Sequence, residues 1–359
     1  MYTIKFISQF PPPMHGLSKA VSTLYSSVLH KKFIFSKLNL TNNLDFVKNL
    51  LILLFSNDDL YYFTISQTVG GNIRDLVIIF ILKIKRAKIL LHLHGGYYRT
   101  LIDSKSCYIQ KKINYFLINK VSGVIVLSES LKFNFTGMID KENIYVVENC
   151  VDDCFLLSNE LLEIKKKDII TSGILKILYL SNFIESKGYK DVLHIALHSK
   201  NKNLHFEYHF AGKFFSDLDR NYFFNFISEN NLTNYVFYHG VVDGAKKACL
   251  LNDSHIFILL SRYPNEGQPI SILESYANAL AVISTYHAGI PDIVNVPDNG
   301  FLIENTNIDN VAIINYLLYL YNNRPALLSI AVMNHKKAVE LFSEDRYISD
   351  MENVFLKYL

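Results

Sequence analysis

Ser261-Arg-Tyr-Pro-Asn-Glu266-Gly267-Gln268-Pro269-Ile270-Ser-Ile-Leu-Glu274-Ser-Tyr-Ala-Asn-Ala-Leu-Ala-Val-Ile-Ser284 reads as strand, loop, helix and strand. Gly267 permits a close backbone approach. Pro269 suits the first helical position, where its missing N–H would have had no partner. The free N–H groups at the head of this helix and the positive end of its dipole favour a phosphate above the loop. Glu266 lies before the helix and Glu274 in its early turns, so both reach one pocket from different depths. A carboxylate beside an anion-binding helix end makes sense if it grips neutral hydroxyls, and sugar or ribose hydroxyls donate such charge-assisted bonds. Taken singly, either glutamate reads equally well as a solvated loop or helix residue. Their combination points to a site.

The same alternation extends in both directions. Short apolar runs spaced by segments of helical period signal a parallel sheet wound with helices. In the first half, strands are expected at Thr3–Ser8, Phe33–Lys37, Leu60–Ile65, Lys88–Leu93, Gly123–Leu127 and Ile144–Val147. Helices are expected at Leu17–Leu29, Leu44–Leu54, Asn72–Lys85 and Lys105–Asn119. These strands are near-continuously apolar, as in sheets covered on both faces. Asp152 to Gly173, with Lys165-Lys-Lys-Asp168, breaks the pattern and reads as a linker. Strands resume at Leu175–Leu180, Phe206–Ala211, Val236–His239, His255–Leu259, Ala281–Ser284 and Gly300–Ile303, again with helices between. A helical tail from Pro325, interrupted near Ser343, closes the chain. The expected class is α/β, with two doubly wound, Rossmann-like domains facing across a cleft. Residues 1–165 and 166–340 form the domains, and a helix in 341–359 packs back on the first. Ligands bind at the carboxyl ends of the strands in such folds.

At 359 residues the chain exceeds one ordinary core, and its 50% hydrophobic content argues against disorder. A net charge of +3 does not suggest a nucleic-acid partner. The charge is uneven, however. Lys83, Lys85, Arg86, Lys88, Arg99, Lys105, Lys111, Lys112 and Lys120 face one acid, Asp103. Such a run is a solvated surface or a face for anionic phospholipid or a pyrophosphate-linked acceptor. Cys107, Cys150, Cys154 and Cys249 lack zinc-site spacing and read as free thiols in a reducing compartment. The amino-terminal segment is too short for a signal peptide, and no apolar run approaches the roughly 20 residues of a membrane span. A cytoplasmic location, with peripheral contact at the cytoplasmic face of the inner membrane, is expected.

The Glu266-x7-Glu274 spacing, followed by Ile283-Ser-Thr-Tyr-His-Ala-Gly-Ile-Pro-Asp-Ile-Val294, resembles family 4 of the glycosyltransferases, of GT-B fold. The resemblance runs from Pro11 to about Glu304. It implies that Glu266 contacts the transferred sugar and Glu274 the nucleotide ribose. Gly267, Gln268 and Ile270 would offer backbone N–H groups to donor phosphate and sugar. It implies a retaining reaction without a metal, a UDP- or GDP-sugar donor, and a glycan or lipid-linked glycan acceptor.

Leu180-Ser-Asn182-Phe-Ile-Glu-Ser-Lys187-Gly188 resembles the family's diphosphate-binding loop. By that resemblance Lys187 neutralises the leaving pyrophosphate. Asn182 stands where the family usually has arginine, which removes one cation and keeps a hydrogen-bond donor. Without the resemblance Lys187 is an exposed lysine at a helix start. Pro11-Pro-Pro-Met-His15-Gly16 matches the first glycine-rich loop in place, with Gly16 giving access to the diphosphate. His94, last on its strand in His92-Leu-His94-Gly-Gly-Tyr-Tyr-Arg99, matches the histidine that touches the transferred sugar. A structural histidine is the bland alternative, and a metal pair lacks a third ligand. Asn149 sits at the family's crossing between domains, and Gly240-Val241-Val242 where it lines the base. The implied catalytic residues are therefore His94, Lys187 and Glu266. Gly16, Asn182, Lys187, Val241, Glu266, Gly267, Gln268, Ile270 and Glu274 form the implied donor set.

Surface-polysaccharide, capsule or lipopolysaccharide assembly suits these features. A nucleotide-sugar epimerase of the same architecture and a non-catalytic nucleotide-sugar module are the competing readings. Product from donor alone marks the first, and tight binding without turnover the second. A glycosidase would also use two carboxylates, but it needs no phosphate site. No Gly-x-Gly-x-x-Gly follows a strand, which argues against a dehydrogenase.

Overall fold

The computed structural model describes residues 1–12 and 16–359, the side chain of Asn43 aside. It contains two compact units. The first comprises Met1–Cys150, Asn265–Gln268 and Glu344–Leu359, and the second Val151–Pro264 and Pro269–Ser343. The change of unit thus falls at Cys150–Val151, ahead of the boundary at residue 165 expected from the charge pattern.

In the first unit the order is β1 (Thr3–Ser8), α1 (Gly16–Tyr25), β2 (Ile34–Asn39), α2 (Phe46–Phe55), β3 (Leu60–Thr64) and α3 (Val69–Ile84). β4 (Ile89–Leu93), the single turn α4 (Tyr98–Thr100), α5 (Tyr108–Ile118), β5 (Gly123–Val126) and β6 (Ile144–Val146) follow. The six strands form one parallel sheet of order β2-β1-β3-β4-β5-β6. All five residues of both β3 and β4 are buried, which accounts for their unbroken apolar sequence. Right-handed crossovers place α2, α3 and α5 side by side on one face of this sheet, and α2 packs on α3 as α3 does on α5. On the other face Phe6, Val21 and Leu24 meet Met351 and Phe355 of the terminal helix.

In the second unit α6 (Asn159–Thr171) leads into β7 (Leu175–Leu180), α7 (Tyr189–Asn201), β8 (Phe206–Ala211), α8 (Asp217–Glu229) and β9 (Val236–Tyr238). There follow α9 (Gly244–Asp253), β10 (Ile256–Leu259), α10 (Ile270–Ala277), β11 (Ala281–Thr285), α11 (Ile290–Ile293) and β12 (Gly300–Ile303). α12 (Asn310–Asn322) and α13 (Arg324–Leu341) complete it, and α14 (Glu344–Leu356) is the terminal helix of the first unit. This sheet is also parallel, of order β12-β11-β10-β7-β8-β9.

Three local expectations are corrected. The first helix stops at Tyr25, not Leu29, because the Ser27 hydroxyl donates to the Leu24 carbonyl and accepts from the Leu29 N–H, starting a separate 3-10 turn. The segment read as a linker contains α6, capped by Ser158. Its Leu162 and Ile169 are buried, and the Lys165 ammonium turns inward onto the Asn252 and Ser254 carbonyls. Pro269 occupies the N-cap of α10, one residue before the expected helical position.

Gly188 adopts φ of 81°, where a side chain costs about 1–2 kcal/mol, and a Cβ there would collide with the Leu260 carbonyl. Gly240 has φ of 71° with open space around it. Gly188→Ala should therefore lower the unfolding midpoint of the second unit by more than the roughly 2–8 °C that the backbone cost alone gives. Gly240→Ala should stay within that range. Calorimetry of the two variants checks the difference.

Candidate functional site

Functional residues in parallel sheets gather where strands end and loops begin, and each unit has such an edge. In the first unit β4 delivers His92 and His94 to the same face, and their rings lie 3.9 Å apart. His92 is fully buried with Nδ1 2.7 Å from the Tyr62 hydroxyl. Burial, reinforced by His94, holds the His92 imidazole well below its usual range, so it is neutral at physiological pH. His94 is half-buried at the strand end.

Immediately beyond, the chain is packed too tightly for side chains. A Cβ on Gly267 would lie 2.9 Å from the His94 carbonyl oxygen and 3.0 Å from the Gly95 Cα. A Cβ on Gly95 would lie 2.6 Å from the Asn265 carbonyl oxygen. Gln67 fixes the loop from the side, its Oε1 accepting from the Tyr97 N–H at 2.7 Å. Gln268 Oε1 accepts from the Asn149 N–H at 2.7 Å, and the Gln268 carbonyl accepts from Asn149 Nδ2 at 3.0 Å. Gln268 Nε2 also donates to Glu148 Oε1 at 3.1 Å. The structure thus brings Glu266, Gly267 and Gln268 to the His94 loop. Glu266 is only 7% exposed, not a solvated loop residue. Gly16 heads α1, whereas His15 falls outside the described residues.

In the second unit Asn182 and Lys187 occupy the loop after β7, Val241 follows β9, and Ile270 and Glu274 belong to the helix after β10. Asn182 and Val241 are exposed. Lys187 closes a 3-10 turn, Glu185–Lys187, just before α7, and its ammonium lies 4.8 Å from the centre of the Tyr263 ring. The Arg262 N–H donates to the Ser186 carbonyl at 2.6 Å, joining the loops after β7 and β10. Glu274 is 2% exposed and forms an ion pair with Lys247 of α9 at 2.6 Å. The Lys247 ammonium also sits 4.6 Å from the Phe155 ring centre. Sequence reasoning missed Lys247, Tyr62 and Gln67. Their partners are 27 to 30 residues away, beyond any periodic pattern. Among the described residues no cluster of three or more His, Cys, Asp or Glu side chains could hold a metal ion.

Residues 162–336 match the family model described as Glycosyl transferases group 1. A Staphylococcus aureus poly(ribitol-phosphate) alpha-N-acetylglucosaminyltransferase is 24% identical over 249 residues, covering 68% of this chain and 46% of that protein. The chain therefore matches about half the length of this relative. Anabaena Alr3699/HepE, solved in complex with UDP, superposes with a TM-score of 0.76 at 16% identity over 99% of this chain and 100% of that one. The sucrose-phosphate synthase of Thermosynechococcus elongatus gives a TM-score of 0.75 at 12% identity, covering 99% of both chains. With two six-stranded parallel sheets wrapped by helices, the fold is GT-B, built from two Rossmann-like domains.

Two measurements test the site's electrostatics. Lys247→Met leaves a buried carboxylate without its cation and should cost about 3 kcal/mol in denaturant unfolding. Adding Glu274→Gln should restore more than half of that loss. His92 has a depressed folded pKa, so the unfolded chain binds its proton first as acid is added. The stability His92 contributes above about pH 6.5 is then lost as pH falls toward the folded value. His92→Gln should flatten the stability profile below pH 6.5 by up to about 1.4 kcal/mol per pH unit relative to the parent.

Proposed function

We propose that the chain is a retaining glycosyltransferase of family 4 that moves a sugar from a nucleotide-diphospho-sugar to a hydroxyl of a glycan or lipid-linked glycan. The observation that carries this reading is the burial of Glu266 and Glu274, four residues to either side of Ile270. Carboxylates kept out of bulk water make strong, charge-assisted bonds to neutral hydroxyls, which polyhydroxyl ligands supply. Between the two glutamates in sequence, the amino end of α10 offers N–H groups and a positive dipole to a phosphate. The match of residues 162–336 to the group 1 glycosyltransferases supports the same reading.

In this proposal Glu274 binds the ribose, Lys187 with Asn182 the diphosphate, and Glu266 the hydroxyls of the transferred sugar. Gly267, Gln268 and Ile270 present backbone groups to the donor, Val241 lies by the base, and His94 and Gly16 complete the site. Cleavage of the bond between sugar and diphosphate leaves negative charge on phosphate oxygens, which Lys187 and the helix end stabilise. The acceptor hydroxyl attacks from the face the diphosphate vacates, and its proton passes to a departing phosphate oxygen. No metal takes part. Of UDP- and GDP-sugars the former is favoured, because the Anabaena structure of the same fold was solved with UDP-glucose. Bacterial capsule, exopolysaccharide or lipopolysaccharide synthesis is the proposed setting, on the cytoplasmic side of the inner membrane. Among the described residues no helix is long and apolar enough to cross a membrane.

The test is transfer from UDP-sugars measured in variants that remain folded. Glu266→Ala and Lys187→Ala should each lower kcat/KM by about 100-fold or more, while Glu274→Ala should chiefly raise the donor KM. Near-normal rates in either of the first two would overturn the assigned roles. Product formed from donor alone would indicate an epimerase.

A further inference from the structure

The helical layer on one face of the first sheet is apolar on its outer side. On α3, Ile73, Val77, Phe80 and Ile84 follow helical spacing and are 52%, 37%, 53% and 67% exposed. On α5, Ile109, Ile113 and Phe116 repeat the pattern, and the two helices flank an open groove lined almost wholly by aliphatic and aromatic side chains. On α2, Val47, Leu51 and Phe55 do the same, with Phe55 86% exposed. A helix normally turns such a stripe toward the core. Here each helix buries a second set of residues against its neighbours and leaves the stripe in solvent. An outward apolar surface spanning three adjacent helices marks an interaction site.

The charge around it is predominantly positive. The first 120 residues contain 16 Lys or Arg, five Asp and no Glu. Lys48, Lys83, Lys112 and Lys120 lie on or beside the three helices and have no carboxylate partner among the described residues. Lys112 lies 4.5 Å from the Tyr108 ring centre and Lys120 3.7 Å from that of Phe116, with cationic heads at the rim of the apolar stripe. Lys120 also repels Lys83. Two copies joined through this face would set the same cations against each other.

We propose that the outer face of α2, α3 and α5 is a membrane-docking surface that seats its apolar stripes among the lipids of an anionic bilayer. Its lysines then meet the headgroups. The geometry matches an interfacial element: apolar side chains at acyl depth, cations at headgroup level, and negative charge supplied by the leaflet. The surface shares no residue with the proposed donor site, so the two readings stand or fall separately.

Vesicle flotation of the full chain tests it. The protein should float with vesicles of phosphatidylcholine mixed with phosphatidylglycerol, but not with phosphatidylcholine alone. Binding should weaken in about 1 M salt, where screening acts within about 3 Å. Lys112→Gln with Lys120→Gln should weaken partitioning about 25-fold, fivefold per cation. Phe80→Ser with Phe116→Ser should weaken it tenfold or more. Both pairs should keep the parent's thermal midpoint and its rate on a soluble acceptor. Failure to float with the anionic vesicles, equal binding to neutral ones, or unchanged partitioning of both double variants would overturn the proposal. So would a dimer in sedimentation that Phe80→Ser with Phe116→Ser dissociates, which would make the face a contact between copies.

Discussion

The first unit's site depends on one steric condition: the backbone at Gly267 lies against the end of β4 with no room for a side chain. Its virtual Cβ is within 3.0 Å of His94, Gly95 and Leu127 atoms. Backbone groups at that distance must be held in register, or the contact becomes a clash. Asn149 supplies the register through paired bonds to Gln268, and Gln67 holds the opposite side through Tyr97. Glu266 is buried because its neighbour Gly267 is pinned in this way.

The second unit solves a similar problem differently. Gly188 approaches the Leu260 carbonyl in a left-handed conformation, and the Arg262 N–H bonds to the Ser186 carbonyl beside it. These contacts join the loop carrying Lys187 to the one after β10. The ammonium consequently faces the Tyr263 ring. In both units a glycine allows two loops to touch, and a residue singled out from the sequence, Glu266 in one and Lys187 in the other, lies next to the point of contact.

Most strands were legible because parallel strands covered on both faces are apolar throughout, as Gly123–Val126 and Ile256–Leu259 show. α6 was not. Its three consecutive lysines look solvated, yet one of every few helical positions faces inward, and Lys165 is that position. Desolvation there lowers its pKa to about 7, while two carbonyls compensate the ammonium. Gly267, Glu266 and His94 could be singled out from local motifs. Tyr62 and Lys247 could not, since each is tied to its partner by the sheet or by helix packing.

The Lys247–Glu274 pair bears on how a buried carboxylate can remain ready for a ligand. Without a partner, an ionised Glu274 at 2% exposure would cost several kcal/mol. With Lys247 at 2.6 Å the charge is compensated before any ligand arrives. In the proposed donor site a hydroxyl would meet a carboxylate already held in place, so little of its binding energy would go to reorganisation. The Phe155 ring beside the ammonium limits its motion further. Lys247 thereby holds the orientation of the Glu274 carboxylate.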